Sequence, residues 1–140
     1  MKLVYICSPL KGDMKSNIEK ANEYCARATK MGVVPIAPHT VFTQFLDDTI
    51  PDQRRLGLEM GLELLRHCEE LWVCGNVISE GMRGEIAFAE EHGMTIRYYP
   101  CLEAMAGLNS VRPLADRIAA ASEAVPTRGD HFQQPQPLTI

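Results

Sequence analysis

Apolar residues recur along the chain in short dense runs and in longer stretches at every third or fourth position, a pattern that predicts strands and helices in turn. Residues 2–7 (KLVYIC) form a short β-rich run closed by Ser8-Pro9, which predicts a first strand. Met14, Ile18, Ala21, Cys25 and Ala28 then fall on one stripe of an amphipathic helix that Gly32 stops. Residues 33–37 are a second apolar run; Pro35 assigns it to a sheet edge or makes it very short, and Pro38-His39-Thr40 opens a connection. Between 41 and 50 the period is lost, with Phe42, Phe45 and Leu46 beside Asp47-Asp48, as in a short helix or an ordered loop. Pro51 begins a helix at the favoured first position, running to about His67 with Leu56, Met60 and Leu64 on one face. Residues 71–74 predict a buried strand, and the loop 75–81 leads into a helix from about Met82 to His92. Gly93 caps that helix, and residues 95–99 predict another strand.

Strands alternating with helices through residue 99 predict an α/β fold, a Rossmann-like or flavodoxin-like three-layer sandwich around a mostly parallel sheet of 4–5 strands. Ligands in such sheets bind at the carboxyl ends of the strands, so the loops 7–9, 37–39 and 75–81 are expected to line one cleft. Residues 1–100 make up this domain; 101–124 are a helical extension with a helix at 112–124 (RPLADRIAAASEA). Residues 125–140, rich in Pro and Gln, are expected to be a disordered tail in which Arg128-Gly129-Asp130 is a chance tripeptide.

Composition narrows the function classes. A chain of 140 residues, 46% hydrophobic and 23% charged, is sized for one soluble domain that needs neither disulfides nor a metal to fold. Fourteen Lys and Arg against 18 Asp and Glu, scattered rather than clustered, argue against a nucleic-acid partner. There is no stretch of about 18 uncharged apolar residues, and the N-terminal apolar run is too short for a signal peptide, so no membrane contact and a cytoplasmic location are expected. The cysteines at 7, 25, 68, 74 and 101 contain no CxxC pair and read as reduced core thiols. His67, Cys68 and Cys74 match no standard zinc spacing, and no metal is expected. The absence of GxGxxG, GxxxxGK, HExxH and GxSxG motifs implies no cofactor.

The sharpest chemical signal is ISEGMRGEIAFAEEHG, where a Gly-containing loop feeds a helix carrying Glu85. At about 100° per residue, Met82, Ile86 and Ala89 share a stripe, with Glu85 about 40° from Ala89 and leaning inward while Glu91 faces solvent. Gly81 and Gly84 permit close approach to the helix start. A carboxylate near a helix N-terminus is held ionised by the macrodipole, which suits a nucleophile; equally, Glu is a common residue at helix starts.

The combination of VYICSPL, Asn17 with the Ala-rich helix after it, PIAPH, LDD, RRLGLEMGLELL and CEELWVCGNVISEGMRGEIAFAEEHG resembles the nucleoside 2-deoxyribosyltransferase superfamily, closest to its short bacterial and phage branch. The resemblance covers about residues 2–99 and is most specific over 69–93. It implies cleavage or transfer at the N-glycosidic bond of a nucleoside or nucleotide, with Glu85 attacking the anomeric carbon, Tyr5 orienting it, and Ser8 and Pro9 in the first substrate loop. It further implies a homo-oligomer, since such enzymes complete their pockets with neighbouring subunits. The transferases place an Asp six residues before the nucleophile; here Ser79 stands there, followed by Glu80, which weakens a deoxyribose-specific reading.

Asp47, Asp48 and His39 are candidates to supply the leaving base with a proton or hydrogen bond. The aspartates read equally as a helix cap or a solvated turn, and His39 as an ordinary loop histidine. Asn17, His39, Gly75, Ser79, Gly81 and Met82 join Ser8 and Pro9 as candidate substrate-binding residues. Arg54 and Arg55 have a 5′-phosphate reading and a surface reading, and Glu59 lies one turn from Arg55 as in an i,i+4 ion pair. Trp72, Met60, Met82 and Met94 read as packing residues. Two further functions compete: a noncatalytic nucleotide-binding or sequestering module, and an NAD-type glycohydrolase sharing the same nucleophile.

Overall fold

The computed structural model describes residues 1–105. Four strands, β1 (Leu3–Cys7), β2 (Val34–Ile36), β3 (Glu70–Cys74) and β4 (Thr95–Tyr99), form one sheet in the order β2-β1-β3-β4. Every pairing in it is parallel, with Tyr5 opposite both Ile36 and Leu71. The helices α1 (Met14–Lys30), α2 (Pro51–Arg66) and α3 (Glu80–Glu91) are the crossovers. Parallel connections are right-handed, so reversing the direction of strand addition after β2 sends α1 to one face and α2 and α3 to the other. The α/β three-layer expectation is met with four strands, and the short β2 with Pro35 is an edge, as its proline requires.

Strand alternation divides the core. Val4, Ile6, Trp72 and Cys74 meet Ala21, Tyr24 and Ala28 of α1, and Leu102 and Met105 close that side. Tyr5, Cys7, Leu71 and Val73 meet Leu65, Cys68, Met82 and Ala89 from α2, α3 and the turn after α2. Cys68 and Cys74 thus lie on opposite faces of the sheet, and His67 is exposed beside Glu63, so these three residues do not converge. All five cysteines are free. Among the described residues no helix is long and apolar enough to cross a membrane. The expected helix at 112–124, the tail and the RGD tripeptide lie outside the described residues.

Three local expectations are corrected. The buried positions of α2 are Gly61 and Leu65, whereas Leu56 is exposed: the inward face is turned by one residue because glycines, invisible to hydrophobic periodicity, occupy it. The third helix starts two residues earlier than expected. The Ser79 hydroxyl accepts from Met82 N at 3.4 Å while the Met82 thioether accepts from Ser79 N, a reciprocal cap with sulfur in the usual carboxamide or carboxylate place. Arg55 pairs with Asp52 at 3.6 Å, backward along the helix, rather than with Glu59.

At the amino end of the sheet the buried Glu70 carboxylate accepts from Arg97 Nε (2.7 Å), Lys2 Nζ (2.9 Å) and Trp72 Nε1 (3.3 Å), tying β1, β3 and β4 together. Burial alone would raise its pKa, but these three donors outweigh it and hold the group at about 2. A depressed carboxylate contributes its full stability above its ordinary value of 4.5 and loses it as pH falls through about 2. Glu70→Gln is therefore expected to cost about 1–3 kcal/mol in urea unfolding at pH 7. The gap should shrink toward pH 2; one that stays constant across that range would contradict the assignment.

Candidate active site

The carboxyl ends of β1 and β2, the connection that follows β2, and the facing sides of α2 and α3 border one cleft. Alternation along β1 points Tyr5 and Cys7 to the same side of the sheet, beneath the second turn of α3. Glu85 occupies that turn and is only 7% exposed, one of few charged side chains buried in the described residues. Its Oε2 is buried without a hydrogen-bond partner. Burial raises the Glu85 pKa to about 7, while the Tyr5 hydroxyl and Cys7 thiol facing it pull in the opposite direction and are the weaker influence. The macrodipole does not keep this carboxylate ionised as expected, because that effect fades beyond the first turn and desolvation prevails. Burial and the neighbouring Glu85 likewise push the Tyr5 phenol well above its ordinary value, so it remains a donor.

Ser8 follows directly on β1. Its Oγ is also buried and unpartnered, and its carbonyl is 2.7 Å from His39 Nε2. A carbonyl can only accept, so Nε2 carries the proton and Nδ1 is left as an acceptor in neutral His39. Burial lowers the His39 pKa despite the Ser8 carbonyl and Asp48, which favour the charged form. Asp48 receives Arg54 Nη1 at 2.8 Å, and both side chains line the cleft. Asp47 does not: it is exposed, its Oδ1 accepting from Thr49 N (2.9 Å) and Thr49 Oγ1 (2.6 Å), the solvated turn.

The structure thus brings Tyr5, Ser8, His39, Asp48, Ser79, Gly81, Met82 and Glu85 to one cleft. The three expected loops meet there, through Ser8, through Pro38 and His39, and through Ser79 and Gly81, whereas Pro9, Asn17 and Gly75 line a second hollow against α1. Asn17 Nδ2 donates to the Leu10 and Lys11 carbonyls at 3.0 and 3.3 Å and so ties down the loop between β1 and α1. Gly84 faces open space, and Gly81 packs toward Leu58, its missing Cβ lying 3.7 Å from Leu58 Cδ2. Glu59 is exposed and outside the cleft, as is Arg55, which lies in an adjoining groove with Lys11, Asp48 and Arg54. Among the described residues no cluster of three or more His, Cys, Asp or Glu side chains is arranged to hold a metal. Sequence reasoning missed Lys11, Gln53, Gly57 and Gly61 as cleft residues; the only signal for the last two is that glycines four apart share a helix face.

A family model described as "Domain of unknown function (DUF7768)" matches residues 2–99. No curated protein matches the sequence. Among solved structures the chain is similar to a 2-deoxyribosyltransferase of Bacillus psychrosaccharolyticus, described as a biocatalyst for nucleoside synthesis. Here the TM-score is 0.56 at 12% identity, covering 69% of this chain and 70% of that one. It is also similar to a 2-deoxyribosyltransferase of Leishmania mexicana, with TM-score 0.52 and 17% identity over 70% of this chain and 63% of that one. At such identities the likeness establishes a shared fold.

Proposed function

This chain belongs to the DUF7768 family, and from that premise we propose that it is an enzyme cleaving or transferring the N-glycosidic bond of a small-molecule nucleoside or nucleotide, with Glu85 as nucleophile. One observation carries the proposal: a buried carboxylate with an unpartnered oxygen stands in a cleft between two buried donors, on a fold shared with 2-deoxyribosyltransferases. A glutamate buried that way costs stability, which is common at catalytic positions. In the reaction Glu85 Oε2 attacks the anomeric carbon as the carbon–nitrogen bond breaks. The base leaves with the bonding pair and takes up a proton, and a glycosyl ester forms on Glu85. Water or a second base then attacks the same carbon and frees the carboxylate.

Tyr5 orients Glu85 through its hydroxyl. Ser8 Oγ, Ser79, Gly81 and Met82 shape the sugar side, and His39 and Asp48 face the leaving group. Growing positive charge on the sugar favours the ionised form of Glu85, so the carboxylate is stabilised where it is needed. The chemistry assigned to these side chains requires no cofactor. No nucleic-acid or membrane partner enters the proposal, and we place the protein in the cytoplasm, where five free thiols stay reduced.

A homo-oligomer belongs to the same proposal. Phe45, Val41, Ile50, Leu56 and Leu58 are large apolar residues left 41–62% exposed on the segment that leads into α2 and on α2 itself, a surface suited to a second copy. Light scattering should give a dimer or larger assembly, and a monomer at tens of micromolar would contradict this part.

A binding-only module is the second reading. Its support is that Glu85, with a pKa of about 7, is half protonated in the resting state at neutral pH. Incubating wild type with ribo- and deoxyribonucleosides, their 5′-monophosphates and NAD, with free base followed by chromatography, separates the readings. Base release supports the enzyme, and nicotinamide as its main product identifies the NAD-type glycohydrolase. Silence across the panel, with ligand-induced thermal shifts, supports the module.

A further inference from the structure

Helix α2 presents two glycines, Gly57 and Gly61, to the same cleft as Glu85, one turn apart and so on one face. Glycine in a helix interior is destabilising by roughly 0.5–1 kcal/mol relative to alanine, so two of them on one inward face call for a reason. Helix packing supplies only half of one. A Cβ at Gly61 would stand 3.1 Å from the Tyr5 hydroxyl, closer than ordinary contact, so this glycine keeps Tyr5 in place. A Cβ at Gly57 would meet only Leu46 Cδ1, at an ordinary 3.7 Å, so no protein atom excludes a side chain there. The space it leaves belongs to the cleft, which Phe42, Leu46 and, from α2 itself, Leu58 also line. Glu85, whose buried Oε2 has no hydrogen-bond partner, lines the same cleft.

We propose that the bare face of α2 at Gly57 and Gly61 is the floor of a slot for the planar leaving base, and that Gly57 sets how large a base enters. The proposal rests on the glycosidic reading and adds the specificity residue to it. A flat heteroaromatic ring lying against the bare helix backbone, bordered by the apolar side chains of the cleft, buries its apolar surface and leaves its polar edge for the cleft's polar groups. A methyl at Gly57 thickens the floor by the width of a CH3 group. Two-ring purines, which reach furthest along the slot, lose most.

The test uses calorimetric binding of free adenine and cytosine to the whole protein, thermal melts without ligand, and KM for base release from matched purine and pyrimidine substrates. Gly57→Ala should raise Tm by about 2–5 °C, because alanine favours the helix and nothing clashes. It should also weaken adenine binding by about tenfold or more, and cytosine binding by less than about threefold. Gly84→Ala, on the exposed side of α3, should raise Tm similarly and leave both affinities unchanged. Adenine bound as tightly by Gly57→Ala as by wild type overturns the slot, as does a lowered Tm, since the room beside Leu46 would then be absent. Wild type that releases base while Gly57→Ala leaves the purine KM untouched overturns the slot alone. Wild type that neither binds nor releases any base overturns the slot together with the reading on which it rests.

Discussion

Glu85→Gln is expected to reduce base release by about 10⁴-fold or more while leaving the fold intact and making it more stable. The loss follows from removing the only atom that bonds to the sugar, an effect of the size seen when a covalent nucleophile is deleted. The gain follows from burial. In the folded protein Glu85 holds its proton up to about pH 7, against an ordinary value of 4.5. Below 4.5 both folded and unfolded chains carry the proton and no penalty exists. As pH rises from 4.5 toward 7 the unfolded chain releases it first, and stability is lost until the penalty is complete above the folded pKa, at roughly 3 kcal/mol. Glutamine carries no such penalty. Denaturant unfolding should therefore find the variant more stable than wild type at pH 8 and equal to it near pH 4. A variant destabilised at pH 8 would mean that Glu85 serves packing and that its burial is structural.

The second large effect is on the pH dependence of wild-type turnover. Only the carboxylate attacks, so kcat/KM should fall about tenfold per pH unit below about 7, reaching about 1% of its plateau at pH 5. The other ionisable groups facing the site do not produce this limb. Tyr5 and Cys7 are pushed upward by burial and the adjacent Glu85, away from the acid range. His39 is lowered by burial, so it titrates on the acid side of its ordinary 6.5. Asp48 is ion-paired to Arg54. His39→Gln should accordingly change the plateau and leave the midpoint near 7. Activity that is flat from pH 8 to pH 5 would remove Glu85 from the chemistry.

Much of this arrangement was legible in the chain. The alternation of periods locates all four strands and three helices, because an apolar run and an amphipathic stripe are direct imprints of burial on residue order. Wheel arithmetic turns Glu85 inward, and the structure buries it. What periodicity cannot register is an inward face made of glycine, so the apolar stripe orients α2 by Leu56, Met60 and Leu64 while Gly61 and Leu65 face the core. Nor does it resolve which side of the sheet a loop serves. Pro9 and Gly75 follow strand ends as expected yet line a hollow against α1 together with Asn17 of that helix, while Tyr5 serves the cleft beneath α3 and Ser8 borders both. The Asp47-Asp48 pair illustrates the same limit at one-residue scale: adjacent carboxylates part company, one capping a turn and the other entering the cleft beside Arg54. The raised pKa of Glu85 depends on three-dimensional burial between β1 and α3, which no helix-dipole argument from sequence contains.

The central claim is a covalent bond between Glu85 and a sugar. Its most direct test is intact-protein and peptide mass spectrometry after rapid acid quenching of wild type with a turned-over nucleoside or nucleotide, or with a 2′-fluorinated analogue that slows breakdown of the glycosyl ester. The expected result is a mass increase of one glycosyl unit on the peptide carrying Glu85, absent from Glu85→Gln. Base release without any adduct at Glu85, or an adduct on another residue, would contradict it.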